Sequence, residues 1–330
     1  MKVVMPLAGK GTRLRPHTHV TPKPLLKVGD KPVLAYILDE LRELGVNEAV
    51  CITGHLKERV EEFMAREYPD FKAVYVEQVQ QRGTGDAIAL AEPYVQEDLL
   101  IIFVDTLFDA DLSLVKRLPE DVAGVIWAKE VEDYQRFGVI VTDENGFMQK
   151  IIEKPSEPVS KLANIGLYYI RDWKLLFEGI RHVMSTDPGP GGEYFLTDAF
   201  QYMVDHGGKL LVAPVEGWYD AGKPDTLLET NLHVLSTTRG RSPAAQDGVT
   251  IHEPVHVADG VTLENAEIGP NVTLSAGATV RGSKLRDTIV GEKAVIEGCD
   301  LHDSLIGRDA KVAGVKGQVD LGDHSIVTMA

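Results

Sequence analysis

Cysteine is almost missing from this chain. Cys51 and Cys299 are the two present, and they lie far apart without metal-ligand spacing. That excludes a disulfide framework and a zinc site, and it fits a reducing, cytoplasmic setting. Long apolar runs are missing too. None approaches the roughly 20 residues of a membrane span, and the first residues pass straight into a strand pattern with no signal-peptide character. Positive charge is scarce: 34 Lys and Arg stand against 50 Asp and Glu, a net charge of −16. Such a surface repels nucleic acid and anionic membrane. No P-loop is present, because no Gly-Lys-Ser/Thr follows a glycine at the required spacing. No Rossmann fingerprint is present either, because its third glycine and acidic partner are missing.

What remains is a chain of 330 residues, 44% hydrophobic, enough for two domains with a real core. Residues 1–110 alternate short apolar strands (Lys2–Leu7, Glu48–Thr53, Val74–Val76, Leu99–Val104) with helical patterns. The first helix is expected over Lys31–Leu44, capped by Asp30 with Pro32 in its first turn. Others are expected at His55–Tyr68 and from Asp86. This rhythm predicts a mostly parallel sheet with helices on both faces. Farther on, Phe137–Thr142 and Phe147–Ile152 flank a Glu144-Asn145-Gly146 turn and read as a hairpin. Asn164–Ile170 reads as a strand, and Leu196–His206 and Pro224–Leu235 as helices. The polar stretch 238–250 reads as a linker between a first domain, 1–237, and a second, 251–330. In the second, apolar residues recur about every six positions: Ile251, Val257, Leu263, Ile268, Leu274, Val280, Val295, Leu301. A six-residue period marks a parallel β-helix.

The opening segment carries most of the functional information. The strand Lys2–Leu7 runs into Ala8-Gly9-Lys10-Gly11-Thr12-Arg13. Its glycines let the backbone approach a ligand closely, and successive N–H groups in such a loop form an anion-binding concavity. Arg13 and Lys23 add charge for polyphosphate oxygens. With so acidic a chain, a triphosphate needs this local basic patch and a metal ion.

GTRLRP, TPKPLL and DKPVL at these spacings resemble the signature of the sugar-1-phosphate nucleotidylyltransferases, with Lys10 where a small residue is usual. The resemblance implies a Rossmann-like, mixed-sheet (GT-A-like) α/β domain followed by a short left-handed parallel β-helix. It implies attack by a sugar-1-phosphate oxygen on the α-phosphorus of a nucleoside triphosphate, releasing pyrophosphate. The nucleophile is already ionised, since a phosphomonoester loses its second proton near pH 6. No general base is needed, and catalysis reduces to in-line positioning and charge neutralisation.

The resemblance also assigns residues. Leu7, Ala8, Gly9, Gly11 and Thr12 would line the nucleotide, with Arg13 and Lys23 on the triphosphate. Gln78, Gly83 and Thr84 match a base-reading segment, Q-x-x-x-x-G-T, whose amides suit uracil or thymine; Gln80 and Gln81 are neighbouring rivals. Asp105, at the carboxyl end of an apolar strand, and Asp220, in W-x-D-x-G, would hold Mg²⁺, a cation that takes carboxylate, phosphate and water oxygens. Asp105 sits in Val104-Asp105-Thr106 where Gly-Asp-Asn is usual. Gly138, Glu153 (in E-K-P) and Asn164 (in N-x-G-x-Y) would fix the sugar, and Lys154 its phosphate. Glu193–Asp198 matches E-x-x-L-T-D. His17 and His19 read as loop residues, and His252, His256 and His302 lie in the β-helix with no sign of a coenzyme A site. The expected reaction joins dTTP or UTP to glucose-1-phosphate, as in long-form thymidylyltransferases. Its rivals are another pair, such as GTP with mannose-1-phosphate, a non-catalytic nucleotide-sugar sensor, and added acetyl transfer. The β-helix suggests a homo-oligomer.

Overall fold

The computed structural model describes residues 1–244 and 246–329. Residue 245 of the expected linker and the last residue of the expected β-helix domain lie outside them. Two compact units form: Met1–Gly9 with Ile37–Trp218, and Lys10–Tyr36 with Tyr219–Ala330. The segment 1–237 is therefore shared between both units, and the signature loop groups with the C-terminal residues.

The first unit is built on a nine-stranded mixed sheet. Its strands are β1 (Lys2–Pro6), β2 (Glu48–Thr53), β3 (Lys72–Glu77), β4 (Leu99–Ile102), β5 (Val122–Glu130), β6 (Gly138–Thr142), β7 (Met148–Glu153), β8 (Leu162–Ile170) and β9 (Lys209–Pro214). They run in the order β7-β6-β8-β4-β1-β2-β3, with β5 pairing both β8 and β9. β4, β1, β2 and β3 are mutually parallel, as the alternating pattern predicts. β8 lies antiparallel to β4, and the β6–β7 hairpin is antiparallel. Val4, Ile52, Leu99 and Ile101 are fully buried, which is why these strands read as continuous apolar runs.

Several boundaries move. The first helix, α1, spans Val33–Leu44, because Lys31 and Pro32 pair with Lys27 and Val28 in a small hairpin. Asp30 lies before that hairpin's second strand, and its carboxylate accepts the Tyr36 hydroxyl at 2.7 Å. α2 is Lys57–Glu67 and α3 is Thr84–Ala89. β4 stops at Ile102, two residues before the expected end. Among the elements not read from the sequence are Thr106–Asp109, β5, α4 (Trp173–Met184), β9 and the short strand Gly217–Asp220. α4 starts at Asp172, whose side chain accepts the Leu175 amide at 3.1 Å. Its apolar face, Trp173, Leu176, Phe177 and Ile180, is intact in the sequence, and the missing Cβ of Gly179 serves packing. A Cβ there would stand 3.0 Å from the Ala199 carbonyl of α5, Leu196–Asp205.

In the second unit, residues 10–36 form 3₁₀ turns at Thr12–Leu14, His17–His19 and Lys23–Leu25 and then the small hairpin. α6 is Pro224–Val234. Three five-stranded parallel sheets follow, the faces of the expected β-helix. Ile251 pairs beside Ile268, Val257 beside Leu274, and Leu263 beside Val280. The next inward position is Ile296, not Val295, since the middle residue of Val295–Glu297 turns into the core. Corners use left-handed backbone at Asn271, Asp287 and Asp303 (φ 56°, 42° and 45°), a conformation Asn and Asp tolerate best among side-chain-bearing residues. The linker is partly docked: Arg241 exchanges backbone hydrogen bonds with Val255 and Val257 at 2.7 and 2.8 Å.

Candidate active site

In the first unit, the parallel strands deliver their following residues to one edge, the carboxyl edge where open α/β sheets bind ligands. Leu7 and Ala8 follow β1, Gln78 follows β3, and Asp105 sits in the turn after β4. Leu7 and Ala8 are buried and continue the strand: the Leu7 amide donates to the Ile52 carbonyl at 2.7 Å. Gln81 donates its side-chain amide to the Ala8 carbonyl at 2.5 Å. Gly9 has no atom within 4 Å of a Cβ position.

Gln78 is buried, and its amide donates to Asp86 at 2.9 Å and to the Gly83 carbonyl at 3.4 Å. Arg82 grips the same Asp86 through two nitrogens at 2.6 and 3.1 Å. The donor end of Gln78 is thus spent inside the protein, leaving its carbonyl and the backbone for a base. Gly83 (φ 109°) admits no side chain, because a Cβ would lie 2.5 Å from the Tyr194 carbonyl. Backbone hydrogen bonds run from Tyr194 to Arg82 and from Gly85 to Tyr194, both at 2.8 Å. The Thr84 hydroxyl accepts the Leu196 amide at 2.9 Å, at the start of α5. The RGTG and E-x-x-L-T-D segments are thereby welded together.

The predicted sugar residues converge. A Cβ on Gly138 would stand 2.4 Å from the Asn164 amide nitrogen and 2.9 Å from a Glu153 carboxylate oxygen. Asn164 donates to the Gly138 carbonyl at 2.8 Å and accepts the hydroxyl of buried Tyr168. Glu153 accepts the Thr197 hydroxyl at 3.2 Å. Burial holds its carboxyl above the ordinary glutamate range, against the opposing pull of Lys154. Lys154 takes left-handed backbone (φ 45°). Its ammonium stands 3.9 Å from Glu153, 4.0 Å from Glu193 and 5.1 Å from the Phe195 ring centroid.

In the second unit, three motifs meet at one point. A Cβ on Gly222 would lie 2.6 Å from the Asp220 carboxylate, 3.3 Å from an Arg13 guanidinium nitrogen and 3.4 Å from the Lys23 ammonium. Asp220 is held by the Gly222 amide at 2.8 Å and the Thr226 hydroxyl at 3.4 Å. Gly11 (φ 59°) packs against Lys23, and its carbonyl accepts the Thr18 hydroxyl at 2.8 Å. Thr12 opens the 3₁₀ turn that carries Arg13.

Two polar atoms that sequence reasoning passed over stand out. The Trp218 indole nitrogen and the Thr106 hydroxyl are buried without a hydrogen-bond partner. Each belongs to a residue near a predicted metal carboxylate in sequence, and Trp218 packs edge-on to Phe137 at 4.9 Å. Buried polar groups are seldom orphaned. The signal was present in the W-x-D motif, but it did not give the tryptophan a role. Among the described residues, no three His, Cys, Asp or Glu side chains gather into a complete metal cage.

Residues 2–237 match the sequence model of the nucleotidyl transferase family. This chain belongs to that family. A UTP–glucose-1-phosphate uridylyltransferase, AglF of Haloferax volcanii, is 34% identical over 230 residues, 68% of this chain and 93% of that one. A glucose-1-phosphate thymidylyltransferase of Streptomyces antibioticus is 29% identical over 304 residues, 90% of this chain and 84% of its own. A crystal structure of UDP-glucose pyrophosphorylase complexed with UDP-glucose matches with TM-score 0.63 at 25% identity, covering 71% of this chain and 98% of that one. No helix of the described residues is long and apolar enough to cross a membrane.

Proposed function

We propose that this nucleotidyl transferase joins a pyrimidine nucleoside triphosphate, dTTP or UTP, to glucose-1-phosphate, giving a nucleotide sugar and pyrophosphate. The observation that carries the reading is the meeting of Arg13, Lys23 and Asp220 around Gly222. Two cations beside a carboxylate suit a substrate rich in phosphate charge and a divalent counterion. The activities for which those relatives are named support the choice of bases and sugar.

In this reading the Arg13 fork and the Lys23 ammonium hold the triphosphate and take up charge that grows on the leaving pyrophosphate. Lys154 holds the phosphate of the sugar. Glu153 accepts sugar hydroxyls, and Asn164 and Gly138 shape the floor. Gln78, Gly83 and Thr84 set the wall against the base, and Gly9, Gly11 and Thr12 give the phosphates room and backbone amides. Asp105 in the first unit and Asp220 in the second would each supply hard carboxylate oxygens of the kind Mg²⁺ prefers. When bound, that ion lowers the charge on the phosphates. Since the nucleophile arrives ionised, what these side chains contribute is alignment and charge. The chain assembles as a homo-oligomer, which light scattering after gel filtration tests.

The deciding experiment measures pyrophosphate release with Mg²⁺ across dTTP, UTP, GTP, CTP and ATP, each with glucose-, mannose- and N-acetylglucosamine-1-phosphate. Turnover with dTTP or UTP and glucose-1-phosphate supports the reading. Preference for another pair, or silence from folded protein, overturns it.

A further inference from the structure

The second unit holds contacts that a β-helix used only for assembly does not require. Asp320, in the strand Asp320–Leu321 near the end of the β-helix, accepts His17 Nε2 at 2.5 Å. His17 is 8% exposed. Gly322 meets Pro16 so closely that a Cβ would sit 3.1 Å from it. The next residue after His17, Thr18, is buried and donates to the Gly11 carbonyl. Gly11 in turn packs on Lys23. Beyond Lys23, Lys27 pairs with Glu292 at 2.6 Å. The Gly29 amide donates to Asn231 of α6 at 2.7 Å. Fully buried Asn231 also takes the Thr273 hydroxyl at 2.8 Å and donates to Asn271 at 2.8 Å, both on the β-helix. Such a satisfied buried network fixes one arrangement, since a lost partner leaves a costly unpaired group.

We propose that the β-helix is the positioning element of the phosphate-handling segment: Asp320 through His17 on one side of Lys23, and Asn271 and Thr273 through Asn231 on the other, hold Arg13 and Lys23 in register. The inference rests on the functional reading for what the segment does, but the tether itself is a matter of structure. His17 and Asp320 are positioning residues; neither needs to touch substrate.

The test uses the full chain. Asp320→Ala removes the acceptor at a partly exposed site, and Asp320→Asn restores an acceptor without charge. Arg281→Ala, which breaks exposed ion pairs to Glu264 and Glu297 in the same β-helix, controls for general loosening. Amide hydrogen exchange over residues 10–27 is read beside kcat and KM for the triphosphate. Losing a hydrogen bond to a charged group is expected to speed exchange there by about tenfold. KM should rise or kcat fall several-fold, with recovery in Asp320→Asn and no change in Arg281→Ala. Unchanged exchange in Asp320→Ala, or an equal effect from Arg281→Ala, overturns the tether. If wild-type protein releases no pyrophosphate from any pair, the functional reading fails, and exchange alone decides the tether.

Discussion

Lys23 and Glu153 illustrate two ways a single side chain acts. In the proposed function Lys23 contributes charge where phosphates would be held. Lys23→Ala should cut kcat by about 10²-fold or more, the scale of losing one preorganised electrostatic partner, while circular dichroism stays that of the wild type. Unaltered turnover would sink its assigned role. Glu153 contributes a buried acceptor at a cost in stability. Because burial raises its pKa, the folded protein binds that proton more tightly than the unfolded chain. This group's contribution to stability is therefore fullest on the acid side of the ordinary glutamate value, and is lost as pH rises through the raised one. Glu153→Gln removes that slope. The variant should melt higher than wild type at neutral pH, lose the advantage near about pH 4, and turn over more slowly because a neutral amide accepts sugar hydroxyls less well.

At the scale of elements, glycines decide how closely segments approach. Gly83 combines positive φ with backbone contact at 2.5 Å from its Cβ position. Gly83→Ala should cost about 2–3 kcal/mol and loosen the joint between the RGTG segment and the start of α5. Gly146, at the tip of the β6–β7 hairpin, also has positive φ, but its nearest neighbour is 3.9 Å away. Gly146→Ala should cost only about 1 kcal/mol, the backbone penalty without a clash. Urea unfolding of the two variants separates steric contact from dihedral strain. α4 and β5 belong to the same lesson. Gly179 and Gly124 lie within them, and each is explained by a neighbour that only the fold supplies: Ala199 for one, Tyr169 for the other.

At the scale of the whole molecule, the signature loop and the β-helix share a compact unit. A rung in the middle of that stack bears on its neighbours through parallel pairing, as repeat architectures do. Ile296 is fully buried there. Ile296→Ala should cost about 2–4 kcal/mol, and the exchange of amides in residues 10–36 should rise along with that of the β-helix. Independent behaviour of the two would show that they do not unfold cooperatively.

The sequence by itself determined the parallel strands, the hairpin, the six-residue period and the phosphate segment, because each is written in local periodicity or in contiguous motifs. It also offered Arg13, Lys23, Asp220, Gly138, Glu153 and Asn164 as the candidates on which the proposed function rests. Tertiary structure alone decided that Gln78 spends its donor on Asp86, that Thr84 serves the start of α5, that Trp218 keeps an unpartnered N–H, and that His17 reaches Asp320. Those facts depend on pairings between residues far apart in the chain, where no periodicity records which donor meets which acceptor. Hydrogen bonds of that kind are fixed only once the backbone has closed around them.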